Sequence, residues 1–268
     1  MKKIYLMLFV VLTTACSTQH KSVTTTVPQS NLIVDGKLYT SAFQQSAAEY
    51  KALCLQAYNI ARLRLDEALK QTSVKRKAII TDIDETVLDN SRYAVKRALE
   101  GKTYDQASWS DWTARGIADT MPGALSFFQY VASQGIEIFY ITNRLEEERE
   151  GTLKNLQLYG FPVADHDHLL MKVDASSKES RRQKIAENHD IVLLLGDNLA
   201  DFSSLFDDKK PLMERNNIVL QTAAEYGKRF IVLPNSNYGD WEGALYKYQS
   251  GMTPAQKDSA LKSNLKGY

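Results

Sequence analysis

KRKAIITDIDETVLDN, residues 75–90, places Asp82, Asp84, Glu85 and Asp89 directly behind an apolar run, Ala78 to Ile80, that reads as a buried strand. A solvated turn would account for acidic residues at a strand end, and a bare DxD is a weak motif by itself. The surrounding chain decides between that reading and a chemical one. Four further apolar runs rich in β-branched residues follow: IEIFYIT (136–142), DHLLMK (167–172), DIVLLLGD (190–197) and KRFIVLP (228–234). Between the second and third run of the whole set lies EEEREGTLKNLQLYG, and between the third and fourth SSKESRRQKIAENH, both patterned as crossover helices. Strands alternating with helices predict an α/β fold with a parallel sheet covered on both faces. In such sheets the site lies beyond the carboxyl ends of the strands.

Residues 88–121 interrupt the alternation with a long, aromatic-rich segment, read as a smaller, mainly helical cap-like insertion over those strand ends. Upstream, Phe43, Ala47, Tyr50, Leu53, Ala57, Ile60 and Leu63 recur without Gly or Pro, which predicts one or two amphipathic helices within residues 32–76. At the other end, Thr253 as N-cap and Pro254 at the first helical position predict a short closing helix.

The N-terminus carries a different signal. Lys2 and Lys3 precede the apolar run Ile4 to Leu12 and small residues ending at Cys16, the pattern of a signal peptide too short to span a bilayer as a mature helix. Cleavage before Cys16 gives a lipoprotein signal over residues 1–15, with lipid on Cys16, although Thr13 stands where Leu is usual. A plain secretory signal cut nearby is the alternative. Ser17 suits sorting to the bacterial outer membrane. The Ser/Thr-rich residues 16–31 then form a tether, and 32–268 a single α/β domain. Formal charge is +1, or −1 once Lys2 and Lys3 are removed, which excludes a nucleic-acid polymer bound by bulk electrostatics. With Cys16 lipidated, Cys54 is left as a core residue without an internal disulfide partner.

Each strand end carries a particular polar group. Asp82 and Asp84 end the first, Thr142 and Asn143 the second, and Asp197 and Asp201 follow the fourth, while Lys178 opens the helix before it. Carboxylates about 4 Å apart repel by on the order of 4 kcal/mol per pair at an effective dielectric near 20, so a cluster of Asp82, Asp84 and Asp197 needs a cation. Oxygen donors without a His or Cys cluster point to a hard ion, Mg²⁺. The same residue types suit phosphoryl transfer: a carboxylate attacks phosphorus, a neighbouring acid protonates the leaving oxygen, and a lysine with hydroxyl and N–H groups neutralises the remaining oxygens.

These motifs resemble those of the haloacid dehalogenase-like superfamily, whose DxDxT is met by Asp82, Asp84 and Thr86. DIDETVLDNSRY, GDNLADF and NSNYGDWEGAL resemble more closely the class C acid phosphatases, the bacterial lipoprotein 5'-nucleotidases, over nearly the whole chain. The resemblance implies a HAD-like Rossmannoid sheet and a Mg²⁺-dependent phosphomonoesterase acting through an aspartyl-phosphate. Asp82 would be nucleophile and metal ligand. Asp84 would be general acid and base, with its backbone carbonyl on the metal. Asp197 would be the third ligand, with Asp201 supporting the metal through water or orienting Lys178. Thr142 and Lys178, with Asn143 nearby, would hold the phosphoryl group; Lys172 is a rival for the lysine role but lies too early for the spacing to Asp197.

For the substrate, Tyr93, Tyr104, Trp109, Trp112, Tyr238 and Trp241 offer stacking faces for a nucleobase or nicotinamide, or else form the core of the cap. The partners expected are a small-molecule phosphomonoester and, through the lipid, a membrane; a homodimer stays open. Phosphotransfer to an alcohol and a non-catalytic surface-binding role are the alternatives. Glu85 and Asp89 keep no assigned role.

Overall fold

The computed structural model describes residues 31–268. The expected signal peptide, Cys16 and all of the tether except Asn31 lie outside the described residues. The strands are β1 (Arg76–Thr81), β2 (Leu88–Asp89), β3 (Asp119–Thr120), β4 (Glu137–Leu145), β5 (Leu169–Lys172), β6 (His189–Gly196) and β7 (Phe230–Val232). The helices are α1 (Leu32–Ser46), α2 (Ala48–Leu69), α3 (Ser91–Leu99), α4 (Gln106–Arg115), α5 (Ala124–Ser133), α6 (Arg149–Tyr159), α7 (Glu179–Ala186), α8 (Leu212–Gln221), α9 (Asp240–Leu245) and α10 (Pro254–Asn264).

Five strands form one parallel sheet in the order β5-β4-β1-β6-β7. The chain winds outward from β1 through β4 to β5, then returns to the other side of β1 for β6 and β7. The order reverses at β1, so its carboxyl end is where a doubly wound sheet opens a crevice. Successive side chains of a strand face opposite layers, and the core divides accordingly. Ile79, Ile138, Tyr140, Leu193 and Leu195 pack with Tyr58 and Leu65 of α2, Phe128 of α5 and Leu156 of α6. Ala78, Ile80, Phe139, Ile141 and Leu194 form a thinner second layer with Ile185 of α7 and Phe202. Each large apolar side chain fully buried in these layers contributes about 1.5–3 kcal/mol, which explains why strand sequences hydrophobic on both faces settle at the centre.

The cap-like segment leaves and rejoins the sheet through a two-stranded stem, with Leu88 opposite Thr120 and Asp89 opposite Asp119 in antiparallel register. Between the stem strands, α3 packs on α1 and α4 on α6. The second contact is close enough to need glycine. A Cβ on Gly151 would lie 2.3 Å from the Thr113 carbonyl oxygen and 2.8 Å from Ala114 Cα. Both are backbone atoms that cannot swing away, so Gly151→Ala is expected to cost about 1–3 kcal/mol, read as a lower urea midpoint at unchanged m-value. At the C-terminus, Thr253 and Gln256 form the capping box that starts α10.

Candidate active site

The turn behind β1 is acidic on one side only. The Asp82 N–H donates to Leu195 O at 2.9 Å, carrying the sheet ladder one residue past β1. Ile83 and Val87 are fully buried in the main core, and the Ile83 carbonyl accepts from the N–H groups of Val87 and Leu88 at 2.8 and 2.9 Å. Anchored by those two apolar residues, the turn presents Asp82 and Asp84 to a cavity of about 610 Å³. Glu85, at φ +52°, is buried and also lines this cavity.

Across from Asp82, the loop after β6 brings in Asp197 and Asp201. Carboxylate oxygens of Asp82, Asp197 and Asp201 all lie within 4.8 Å of one another. Gly196 makes this possible, because a Cβ there would stand 2.4 Å from Asp201 Cβ and Oδ2. Asp201 Oδ2 also accepts from the Asn198 N–H at 3.0 Å. Lys178, just before α7 and 5% exposed, forms ion pairs with Asp82 and with Asp201, the latter at 2.7 Å. Asp197 instead accepts from Asn235 Nδ2 at 2.8 Å and, weakly, from Thr86 Oγ1 at 3.4 Å. Burial pushes the Asp82 carboxyl up to about 7, with Asp201 and Asp84 adding to the shift and Lys178 opposing it. Burial, Asp201 and Asp82 likewise hold Asp197 well above the usual carboxylate range. Burial disfavours the Lys178 ammonium, but Asp201 and Asp82 outweigh it and keep the lysine charged.

Asp84 sits outside this carboxylate cluster. Its Oδ1 accepts from Arg144 Nη2 at 2.7 Å and Asn90 Nδ2 at 2.8 Å. Arg144 and Asn90 are both buried cavity residues that the sequence reading missed. Arg144 enters because β4 continues past Thr142 to Leu145. Asn143, expected at the phosphoryl group, is in the cavity wall, and its Oδ1 accepts from Arg181 Nη2 at 2.9 Å. Thr142 is placed beneath it, fully buried, with Oγ1 accepting from the Arg144 N–H at 3.1 Å. Lys172 ends β5 and takes no part in the cavity wall.

The six aromatics divide. Tyr93, Tyr104, Trp109 and Tyr238 line the cavity. Trp109 meets Tyr93 edge-on at 5.1 Å and lies 5.6 Å from the Arg144 guanidinium. The Tyr238 hydroxyl donates to Glu85 Oε2, so that ring is held as a wall. Burial and Asp84 push Glu85 up to about 8. Trp112, expected as a stacking residue, does not line the cavity: it packs against the main core and its Nε1 donates to Asn90 Oδ1 at 2.8 Å. Trp241 is 40% exposed and also outside the wall, its Nε1 donating to the Tyr238 carbonyl at 3.1 Å. Asp89 proves structural, accepting from Gln44 Nε2 at 2.9 Å and the Ser91 N–H at 2.8 Å, which ties the cap stem to α1.

The sequence profile of the HAD superfamily, subfamily IIIB (acid phosphatase), matches residues 7–241. The class C acid phosphatase from Bacillus anthracis with tungstate bound is 41% identical and superimposes with a TM-score of 0.85, covering 89% of this chain and 100% of that one. Acid phosphatase 1 from Solanum lycopersicum is 30% identical over 121 residues, 42% of this chain and 46% of that protein. Vegetative storage protein 2 from Arabidopsis thaliana is 28% identical over 176 residues, 63% of each chain. The chain thus spans about half to two thirds of the length of these two plant relatives.

Proposed function

This chain belongs to subfamily IIIB of the HAD superfamily, the acid phosphatases, and from that membership we propose that it hydrolyses phosphomonoesters at the cavity around Asp82. The observation that carries the reading is the convergence of Asp82, Asp84, Lys178 and Asp197 from three separate segments on one crevice. Its volume, about 610 Å³, suits a ligand the size of a nucleoside monophosphate.

The donor set also fits a divalent cation. Three carboxylates share a space in which Lys178 pairs with two and leaves Asp197 to neutral donors. All donors are oxygens, so Mg²⁺ is the ion proposed, held by Asp82, Asp197 and the Asp84 carbonyl with Asp201 in support. When bound, the cation supplies charge neutralisation on the phosphoryl oxygens and the surrounding carboxylates.

Asp82 is the nucleophile. Its carboxylate oxygen forms a bond to phosphorus as the bond to the leaving oxygen breaks, and Asp84 gives that oxygen its proton. Asp84 then takes a proton from water, which attacks the same phosphorus, releases inorganic phosphate and restores the Asp82 carboxylate. Lys178 neutralises charge on the transferring group, with Asn143 beside it at the cavity wall. Tyr93, Tyr104, Trp109 and Tyr238 bound the side where the rest of the substrate lies, which supports nucleoside monophosphates, nicotinamide mononucleotide among them, as the substrate class. Residues 1–16 support a lipid anchor at Cys16 and a place at the outer membrane.

Phosphate release from a panel of nucleoside monophosphates, with and without EDTA, tests this reading. Release restored by Mg²⁺ after chelation is the expected result, and no release from any member of the panel with Mg²⁺ present would sink it. Likeness to a storage protein favours a non-catalytic role as the second reading, and an inert wild-type chain would select it.

A further inference from the structure

We propose that Asn90 is a positioning residue that, together with Arg144, fixes the Asp84 carboxyl through its Oδ1, and that Trp112 of the cap fixes the orientation of Asn90. The inference rests on the acid role given to Asp84 above.

Asn90 is buried where the cap stem meets α3. Its Oδ1 accepts from Trp112 Nε1 at 2.8 Å, while its Nδ2 donates to Asp84 Oδ1 at 2.8 Å and faces Glu85 Oε2 at 3.5 Å. Its backbone N–H donates to Glu85 Oε1 at 2.9 Å. An indole N–H can only donate, and an ionised carboxylate can only accept. The amide therefore has one workable orientation, because turning it over would set its NH₂ against the indole N–H and its carbonyl against Asp84 Oδ1, which already accepts from Arg144 Nη2.

That orientation makes the two oxygens of Asp84 different. Arg144 begins the difference, since its Nε lies 3.2 Å from both oxygens but its Nη2 reaches Oδ1 alone. Oδ1 also takes Arg144 Nη2 at 2.7 Å together with Asn90, so it is saturated with donors. Oδ2 has only the Arg144 Nε contact at 3.2 Å among the described residues. A proton on Oδ1 would point at donors, so the acid proton belongs on Oδ2. Without Asn90, Oδ1 keeps only the Arg144 donors and the carboxyl turns more freely, so the fraction with a correctly aimed proton falls. Trp112 connects this selection to α4, so the cap takes part in setting the acid without touching substrate.

The test compares two substrates by kcat/KM in the full-length protein with Mg²⁺. A nucleoside 5'-monophosphate leaves as an alkoxide and needs the Asp84 proton, whereas the phenolate of p-nitrophenyl phosphate leaves without it. Asn90→Ala is expected to lower the nucleotide value about 30-fold or more, and to lower the ratio of nucleotide to aryl values about tenfold. Trp112→Phe should move the ratio the same way by about threefold, with KM for the nucleotide little changed. Misfolded protein lowers both values together and leaves the ratio untouched. A ratio within about twofold of wild type in Asn90→Ala would overturn the proposal, as would a Trp112→Phe effect confined to nucleotide KM. A wild-type chain inert on both substrates removes the phosphatase reading and this inference with it, whereas an active wild type with an unchanged ratio removes this inference alone.

Discussion

Asp82→Asn is expected to release phosphate from any monoester at less than about 10⁻⁴ of the wild-type rate while remaining folded. The amide has the shape of the carboxylate, so the Leu195 ladder bond and the Ile83 and Val87 anchors stay in place. What disappears is the electron pair that attacks phosphorus. Stability should change little, because Lys178 keeps Asp201 at 2.7 Å and the amide oxygen can still accept from it. Removing one of three crowded carboxylates also relieves repulsion, since Asp201 and Asp84 both push the Asp82 carboxyl up. Turnover and thermal midpoint together separate chemistry from folding. Turnover above about 1% of wild type in the folded variant would exclude Asp82 as the nucleophile.

Residues that pack according to their polarity were legible in the sequence, and residues that pack against it were not. All five sheet strands announce themselves as apolar runs, and Asp82, Lys178 and Asp197 could be named because strand ends converge in a parallel sheet. The second strand is expected to end at Thr142 and Asn143, yet β4 runs on to Leu145. Arg144 is in fact almost fully buried, its charge met by Asp84 and its Nη1 by Thr152 Oγ1 at 2.9 Å. Burial that depends on a partner sixty residues away leaves no mark on local pattern. Glu85 and Asn90 escaped for the same reason, since Tyr238 and Trp112 give them their roles. Trp112 and Trp109 look alike as aromatic residues of the insert, yet of the two only Trp109 lines the cavity. Helix α5 is a different case. Ala124, Phe127, Phe128 and Val131 follow helical spacing and fill the core, so its signal is present in the local pattern.

Stripping divalent cations with EDTA is expected to abolish phosphate release and to lower the thermal midpoint by an amount that grows with pH. In the chelated protein the Asp82 carboxyl is pushed from its ordinary 3.8 up to about 7, and Asp197 is raised as well. A carboxyl raised on folding binds its proton more tightly in the native state. Its contribution to stability is therefore complete below about 4 and is lost as pH climbs to about 7, a change on the order of a few kcal/mol for a shift this large. A cation held by the ionised carboxylates acts in the opposite sense, because its affinity rises as they lose their protons. At about 100 times its dissociation constant it adds about 2.7 kcal/mol, which for a domain of this size is about 5–10 °C. The gap between Mg²⁺-loaded and chelated midpoints should be near that value at about pH 8 and less than half of it at about pH 5. A gap that is flat or narrows as pH rises would show that these carboxylates do not hold the ion. Asp82→Asn sharpens the measurement: with one titrating ligand gone, the pH dependence of the gap should shrink, whereas a cation held elsewhere on the chain would leave it unchanged.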